Sequence, residues 1–197
     1  MSVNDNLGTP DQYGDVVAVL LDATKVPELG PGKPNFAARP VLDGLAPEDL
    51  FPAVTVVDHD MAACCLSGLW LWNDFLDASH TISQDIHTTS GSYWHGIMHR
   101  REGDFSNAKY WFRKVGQHPI FADLARVAAK RIDTLGDPTS VVGLVRGDDW
   151  DPYVFVDLCQ QCRGSDSPLM TFCQTVARDE WRLLFDYCYR CATRALG

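Results

Sequence analysis

The sequence predicts an all-α protein, a bundle of about seven helices in one domain spanning residues 1–197. Apolar residues recur at helical spacing along most of the chain, and no segment sustains the apolar–polar alternation of a strand. Apolar residues make up 46% of the chain and charged residues 22%, a balance typical of globular proteins. A chain of this length can bury a sizeable core.

Helix-capping residues and helix-breaking prolines and glycines divide the N-terminal half into separate predicted segments. A first helix is predicted over 10–24, and an irregular loop over 26–40, which is rich in proline and glycine. A short helix is expected to start near residue 46. Asp58 or Asp60 then caps a long helix to about Ile86, which Ser90-Gly91 ends.

The C-terminal half predicts five further helices. Three follow the apolar periodicity, over 92–102, 105–115 and 119–132. After a turn at 136–138, the apolar run 141–145 fits either a strand or a helix. Asp151-Pro152 and Ser167-Pro168 each place a capping side chain before a proline at the first helical position. These signals open a helix to about residue 163 and a last helix that runs nearly to the end.

The net charge of -9 argues against a general nucleic-acid binder, which needs a basic surface, and against binding to an anionic membrane surface. The first fifteen residues lack the features of a signal peptide. The longest apolar runs, such as Val16–Leu21, are too short to cross a bilayer. We therefore expect a cytoplasmic protein, in which the seven cysteines are reduced thiols.

Four of these cysteines form two CxxC pairs, Cys159/Cys162 and Cys188/Cys191, a pattern typical of structural zinc. Both pairs fall within predicted helices. If the last two helices form a hairpin, Cys173 lies beside Cys159. Cys188 then lies about 24 Å along the last helix from the position that faces Cys159. The favoured interpretation is therefore buried thiols on apolar faces. Zinc remains the alternative if the last helix breaks.

The segment 92–119 resembles a single tetratricopeptide repeat, in which two antiparallel helices touch through small residues. The resemblance covers about one repeat and rests on six residues, Gly96, Gly103, Asp104, Phe105, Ala108 and Phe112. Ser92 stands where the repeat has a large residue, and we find no second copy, whereas arrays need about three. The resemblance implies one helical hairpin within another bundle. The block also resembles segments of proteins with no assigned activity, which implies no chemistry.

Two charged residues fall on apolar helix faces. Glu180 lies on the face of the last helix that carries Cys173, Val176 and Leu184. Arg101 falls beside Ile97 and Met98, and Arg100 is placed on the opposite side. We predict a buried Arg101–Glu180 ion pair, because a buried carboxylate needs a partner. The alternatives are an Arg101 side chain that extends to water and a Glu180 at the surface edge.

Histidines and cations supply the other candidate site residues. On the predicted long helix, His80 lies at the edge of a polar row from Asn73 to His87, which fits a solvated stripe better than a ligand ladder. His95 also lies at an edge, and His99 is placed further out. We assign no metal, although His80 and His95 with a carboxylate such as Glu180 are an alternative ligand set. His118 is expected to cap carbonyls at a helix end.

Three functions remain open from sequence. The first choice is a small anionic ligand bound in a pocket of basic and aromatic side chains, for which the predicted residues are His80, His95, Arg101, Lys109, Arg113, Glu180, Tyr93 and Trp94. Trp111 is expected to wall the pocket. The first alternative is an enzyme in that pocket, either metal-dependent or with His95 as the base. The second is a protein-interaction scaffold. The sequence names no cofactor and leaves a homo-oligomer open.

Overall fold

A computed structural model describes residues 10–52 and 54–194 and confirms the all-α class. Within these residues the chain forms nine α-helices and one two-stranded hairpin. The helices are α1 (Asp15–Leu20), α2 (Arg39–Asp43), α3 (His59–Trp72), α4 (Leu76–Ser83), α5 (Thr89–Glu102), α6 (Phe105–Val115), α7 (Phe121–Ile132), α8 (Pro152–Cys162) and α9 (Pro168–Thr193). The strands β1 (Val145–Arg146) and β2 (Asp149–Trp150) pair antiparallel.

Three single turns of 3-10 helix, over Pro10–Tyr13, Pro47–Leu50 and Pro138–Val141, complete the regular structure of the described residues. The predicted helix over 10–24 is split at Gly14, whose φ of 84° is left-handed, and α1 ends at Leu20. The ambiguous run 141–145 contains the end of the last 3-10 turn and the start of β1.

The predicted helix from Asp58 to Ile86 is wrong in its second half. Asp58 caps α3 as expected, accepting a hydrogen bond from the Met61 N–H at 3.0 Å. The chain then breaks at Asn73, whose side-chain amide donates to the carbonyls of Leu69 and Leu20. The bond to Leu20 links the end of α3 to the end of α1, Asp74 then adopts a left-handed φ of 64°, and a separate α4 follows.

Ser90-Gly91 does not end a helix but lies in the first turn of α5. Thr88 caps this helix, because its hydroxyl accepts from the Gly91 N–H at 3.0 Å. A Cβ on Gly91 would lie 2.4 Å from the carbonyl oxygen of Ile86. The glycine is therefore needed for close packing against the preceding turn. From sequence alone, a Ser-Gly pair that ends a helix cannot be distinguished from one that allows such a contact.

The caps predicted for α8 and α9 are confirmed. The Asp151 carboxylate accepts from the Val154 N–H at 3.1 Å, and the Ser167 hydroxyl accepts from the Met170 N–H at 3.2 Å. Each helix carries proline at its first position. The predicted bounds of these two helices agree with the structure to within a few residues.

One hydrophobic core runs through the bundle, and α3 packs against α4, α5 and α9 near its centre. The approach of α3 to its neighbours depends on Gly68, where a Cβ would lie 2.9 Å from the Trp94 ring. Trp181 of α9 donates its indole N–H to the Gly68 carbonyl at 3.0 Å. Within the described residues no helix is both long enough and apolar enough to span a bilayer.

Helices α5 and α6 pack along each other across a two-residue turn. Gly103 ends α5 with a φ of 92°, and Asp104 caps α6 by accepting from the Asn107 N–H at 3.1 Å. A Cβ on Gly96 would lie 3.2 Å from the Phe112 ring, so any side chain there would make the ring shift by a few tenths of an ångström. The likeness of this hairpin to a tetratricopeptide repeat stays a prediction.

Candidate functional site

Glu180 is fully buried, as predicted, but its partner is Arg100 rather than Arg101. The two guanidinium amino groups of Arg100 donate to the two carboxylate oxygens of Glu180, and the Tyr93 hydroxyl donates to Oε1 at 3.1 Å. Burial acts to lower the pKa of Arg100, but the adjacent carboxylate more than offsets it and the pKa is raised. Burial, reinforced by Glu180, raises the pKa of Tyr93.

The predicted Arg101–Glu180 pair and the outward direction of Arg100 were wrong because α5 has almost no solvent face. Every residue from Ser90 to Arg101 is buried. A helical wheel assigns the charged side to water, and that assumption fails for a helix enclosed on all sides. Arg100 is 2% exposed and its guanidinium lies 4.6 Å from the centre of the Phe155 ring.

Arg101 ties α5 to the irregular segment before α2. Its Nε donates to the Gly30 carbonyl at 2.6 Å, and its Nη2 donates to Asp74 Oδ1 at 2.5 Å and to the Pro31 carbonyl at 3.2 Å. Lys25 adds a second cation to Asp74 at 2.7 Å. Burial lowers the pKa of Arg101, and Asp74 opposes that shift. The Arg101 side chain does not extend to water.

The remaining predicted pocket residues do not converge on one ligand site. Lys109 pairs with Asp157 of α8 at 2.5 Å. Arg113 is exposed and forms no ion pair among the described residues. Trp94 lies in the core, where its ring makes a T-shaped contact with that of Trp181. The cations that were expected to hold an anion are therefore engaged separately or directed to solvent.

Three histidines do come together, where α4 faces α5. His80, His95 and His99 each offer a ring nitrogen, and these nitrogens lie within 4.8 Å of one another. The ring centres are 4.6 to 5.3 Å apart. His95 and His99 are buried and His80 is half-buried. We call these three residues the histidine cluster.

Hydrogen bonds orient two rings of the cluster. Glu102 Oε2 lies 3.1 Å from His99 Nδ1, and because a carboxylate can only accept, Nδ1 carries the proton. The Asn107 side-chain amide donates to His99 Nε2 at 3.1 Å, so this bond occupies the lone pair that a metal ion would use. Ser83 Oγ lies 3.0 Å from His95 Nδ1. A carboxylate or hydroxyl behind a ring nitrogen is the usual support of a metal-binding histidine.

Burial keeps two of these imidazoles neutral. Desolvation, with contributions from His99, His80 and Lys114, lowers the pKa of His95 to about 3. Desolvation also lowers the pKa of His99, although Glu102 opposes the shift. Neutral imidazole is the form that binds metal ions. Near neutral pH both rings are therefore neutral. His95 Nε2 accepts no hydrogen bond among the described residues, whereas His99 Nε2 can bind a metal ion only after the Asn107 amide turns away.

Trp111 of α6 closes one side of the cluster. Its ring centre lies 4.1 Å from that of His95, and the Lys114 ammonium lies 4.0 Å from the centre of the Trp111 ring on α6. The expected role of Trp111 as a wall fits this position. The ligand set of His80, His95 and Glu180 is not formed, because Arg100 holds Glu180 in the core.

His99 is the residue that the sequence interpretation missed, since it was placed further out than His95. It is 6% exposed. The available signal was the four-residue spacing of His95 and His99, which puts both rings on one side of a helix. His118 also differs from expectation, because it bonds to the Ser90 hydroxyl at 3.0 Å instead of capping carbonyls. Burial lowers its pKa to about 4.

A cavity of about 590 Å³ lies next to the cluster. Glu102, the hydrogen-bond partner of His99, contributes to its wall, and Asp77 of α4 stands one turn before His80. The other walls come from the segment before α2 and from the α3–α4 break. The full lining is Pro31, Gly32, Pro34, Phe36, Arg39, Trp70, Asp74, Phe75, Leu76, Asp77, Ala78 and Glu102.

The cysteines form no four-thiol site among the described residues, in agreement with the favoured interpretation. All seven are buried and free. Cys173 hydrogen-bonds with Cys159 and Cys162 at the α8–α9 contact, as the hairpin predicts. Cys188 instead hydrogen-bonds with Cys64 of α3. The unbroken helix α9 separates the two groups.

Comparisons of this chain with protein-family models, with curated proteins and with solved structures find no match. Functional inference therefore depends on the geometry of the histidine cluster and its surroundings.

Proposed function

We propose that this protein binds one divalent transition-metal ion through His80, His95 and His99, with water or a small anion at an open coordination position. The observation that carries the proposal is the approach of three ring nitrogens to within 4.8 Å of one another. Imidazole suits Zn²⁺, Cu²⁺ and Ni²⁺. Three histidines and a free fourth position are also one form of catalytic zinc site.

The distances require a modest closure of the cluster. Zn²⁺ holds imidazole nitrogens at about 2.0–2.1 Å in tetrahedral geometry, which places them about 3.4 Å from one another. From separations of up to 4.8 Å, the rings must move together by up to about 1.4 Å. His80 is half-buried and makes no side-chain hydrogen bond among the described residues, so it is the ring with the most freedom to move.

Charge supports an anionic ligand at the open position. Three neutral imidazoles leave the charge of a divalent ion uncompensated, and a water or anion completes such a site. The small anionic ligand predicted from sequence is thus retained, with the metal as the source of positive charge in place of Arg101, Lys109 and Arg113.

Metal-dependent catalysis is the second candidate function. It is favoured by the cavity whose wall includes Glu102, the hydrogen-bond partner of His99, because an enzyme needs room for substrate beside its metal. A zinc ion lowers the pKa of its bound water to about 7. Metal-free base catalysis by His95 has less support, since a base with a pKa of about 3 accepts protons weakly near neutral pH.

Titration with Co²⁺ tests the proposal, because its visible absorption reports both binding and coordination geometry. Protein freed of metal with EDTA should bind one Co²⁺ per chain with an intense tetrahedral spectrum, and azide should shift that spectrum by entering the open position. Zn²⁺ should displace the cobalt. His80→Ala should weaken binding by at least about 100-fold, and Glu102→Gln by roughly 10–100-fold through His99.

His87→Ala is the matched control, since His87 is exposed on the loop after α4 and lies outside the cluster. It should bind cobalt as the unmodified protein does. Circular dichroism and thermal unfolding should show that each variant is folded. An octahedral spectrum that His80→Ala leaves unchanged, or binding that only His87→Ala removes, contradicts the proposed site.

A further inference from the structure

We propose that the cavity beside Glu102 binds an organic amine, a protonated ammonium group attached to a flat apolar body. The inference rests on the proposed metal site and names the ligand class of the cavity beside it, because Glu102 both lines the cavity and bonds to His99. Its support comes from the apolar walls, the charge balance and the rigidity of the cavity.

Aromatic rings form much of the wall. Phe36 lies edge-on to Phe75, with ring centres 5.8 Å apart, and Trp70 also packs edge-on against Phe75 at 5.4 Å. Phe36 is 66% exposed although its neighbours are buried. A flat apolar ligand in the cavity would cover these faces, and aromatic walls also favour a cation near them. The Arg39 guanidinium already lies 5.5 Å from the Phe75 ring centre.

The ionised side chains that line the cavity include more carboxylates than paired cations can neutralise. Asp74 is neutralised by Arg101 and Lys25, and Arg39 pairs with Asp43. Asp77 makes no ion pair within the described residues, and Glu102 contacts no cation there other than the ring of His99. Two carboxylates thus face the cavity without a fixed cation. A ligand ammonium group would supply the missing positive charge.

The wall opposite α4 is held in place before any ligand arrives. Arg101 donates to the carbonyls of Gly30 and Pro31, and Asn35, next to Phe36, donates to Asn73 through both its backbone N–H and its side-chain amide. A Cβ on Gly32, where φ is 75°, would lie 2.5 Å from Asp74 Oδ1, so this segment fits closely against the α3–α4 break. A preformed cavity avoids part of the entropic cost of ordering its walls on binding.

Three probes of the same size and different charge test the inference by ligand-observed NMR titration. These are benzylamine, benzyl alcohol and phenylacetate. Benzylamine should bind saturably and more tightly than the other two. Asp77→Asn should weaken benzylamine binding about two- to fivefold, as for a partly exposed ion pair. Phe36→Ala should weaken all three probes by a similar factor through lost apolar contact.

Two exposed residues away from the cavity provide matched controls. Asp85→Asn removes an exposed carboxylate after α4, and Val142→Ala shortens an apolar side chain that is 77% exposed. Neither should change benzylamine affinity. Absence of saturable binding, equal affinity for benzyl alcohol, preference for phenylacetate, or equal loss in the controls would each overturn the inference.

The amine site and the metal site can fail separately. Benzylamine is titrated into metal-free and zinc-loaded protein, and cobalt is titrated into Asp77→Asn. Because Asp77 is outside the histidine cluster, this variant should bind cobalt normally. Cobalt binding without amine binding rejects the amine alone. Amine binding without cobalt binding rejects the metal site, and with it the claim that the amine cavity adjoins a metal centre.

Discussion

The Arg100–Glu180 pair offers the most direct test of the packing around α5. Both side chains are buried, at 2% and 0% exposure. Glu180→Ala leaves the Arg100 charge in the core without its carboxylate, a change that costs about 3–5 kcal/mol. Domains of this size have a total stability of roughly 5–15 kcal/mol, so we expect a severe loss. Glu180→Gln keeps one acceptor oxygen for Arg100 and Tyr93, and should cost less.

Urea unfolding followed by circular dichroism measures these free energies. The exposed i,i+4 pair of Arg39 and Asp43 is the control, and Asp43→Asn should change the free energy of unfolding by less than about 1 kcal/mol. The double variant Arg100→Met/Glu180→Leu should regain most of the stability lost in Glu180→Ala, because it leaves no buried charge. It should retain a penalty of about 1–2 kcal/mol for the Tyr93 hydroxyl, which loses its acceptor. A cost below 1 kcal/mol for Glu180→Ala would refute the buried pair.

Two further properties follow from buried titratable groups. The pKa of His118 is about 4 in the fold and about 6.5 in an unfolded chain, so its neutral form stabilises the fold above pH 6.5, and this contribution is lost as the pH falls towards 4. Between pH 7 and pH 5, His118→Gln should therefore lose about 2 kcal/mol less unfolding free energy than the unmodified protein, and an equal loss would contradict the buried neutral ring. All seven cysteines are buried, so Ellman's reagent should label none rapidly in the native state and seven after denaturation; fast native labelling would show an accessible thiol.

The sequence predicts those elements whose signals are local. Helix α6 has the predicted bounds, and the caps of α3, α8 and α9 are the predicted side chains. A cap acts through residues two or three positions away, so its sequence pattern is sufficient. The break after Asn73 combines a local feature, the left-handed φ of 64° at Asp74, with a hydrogen bond from Asn73 to Leu20, which is distant in the chain and is not visible in the sequence.

The charged residues of α5 show that apolar periodicity cannot predict side-chain direction in a helix that is buried on all sides. The wheel correctly identified Glu180 on a buried face, since α9 has a polar side to compare with an apolar one. In α5 nearly every position is buried, so no angular pattern separates Arg100 from Arg101 or His95 from His99. Which partner each side chain meets depends on the packing of α3, α8 and α9 around it.

The enclosure of α5 also restricts the movement of the residues that this helix contributes to the histidine cluster and the cavity. Arg100 and Arg101 follow His99 directly and hold the helix on two sides, one through Glu180 in α9 and the other through Asp74 after α3. Buried ion pairs of this kind contribute little net stability, and we expect that here they fix the rotation and register of α5. His95, His99 and Glu102 are therefore presented to the cluster and the cavity from a backbone with little freedom, and the closure that a metal ion requires falls mainly on His80.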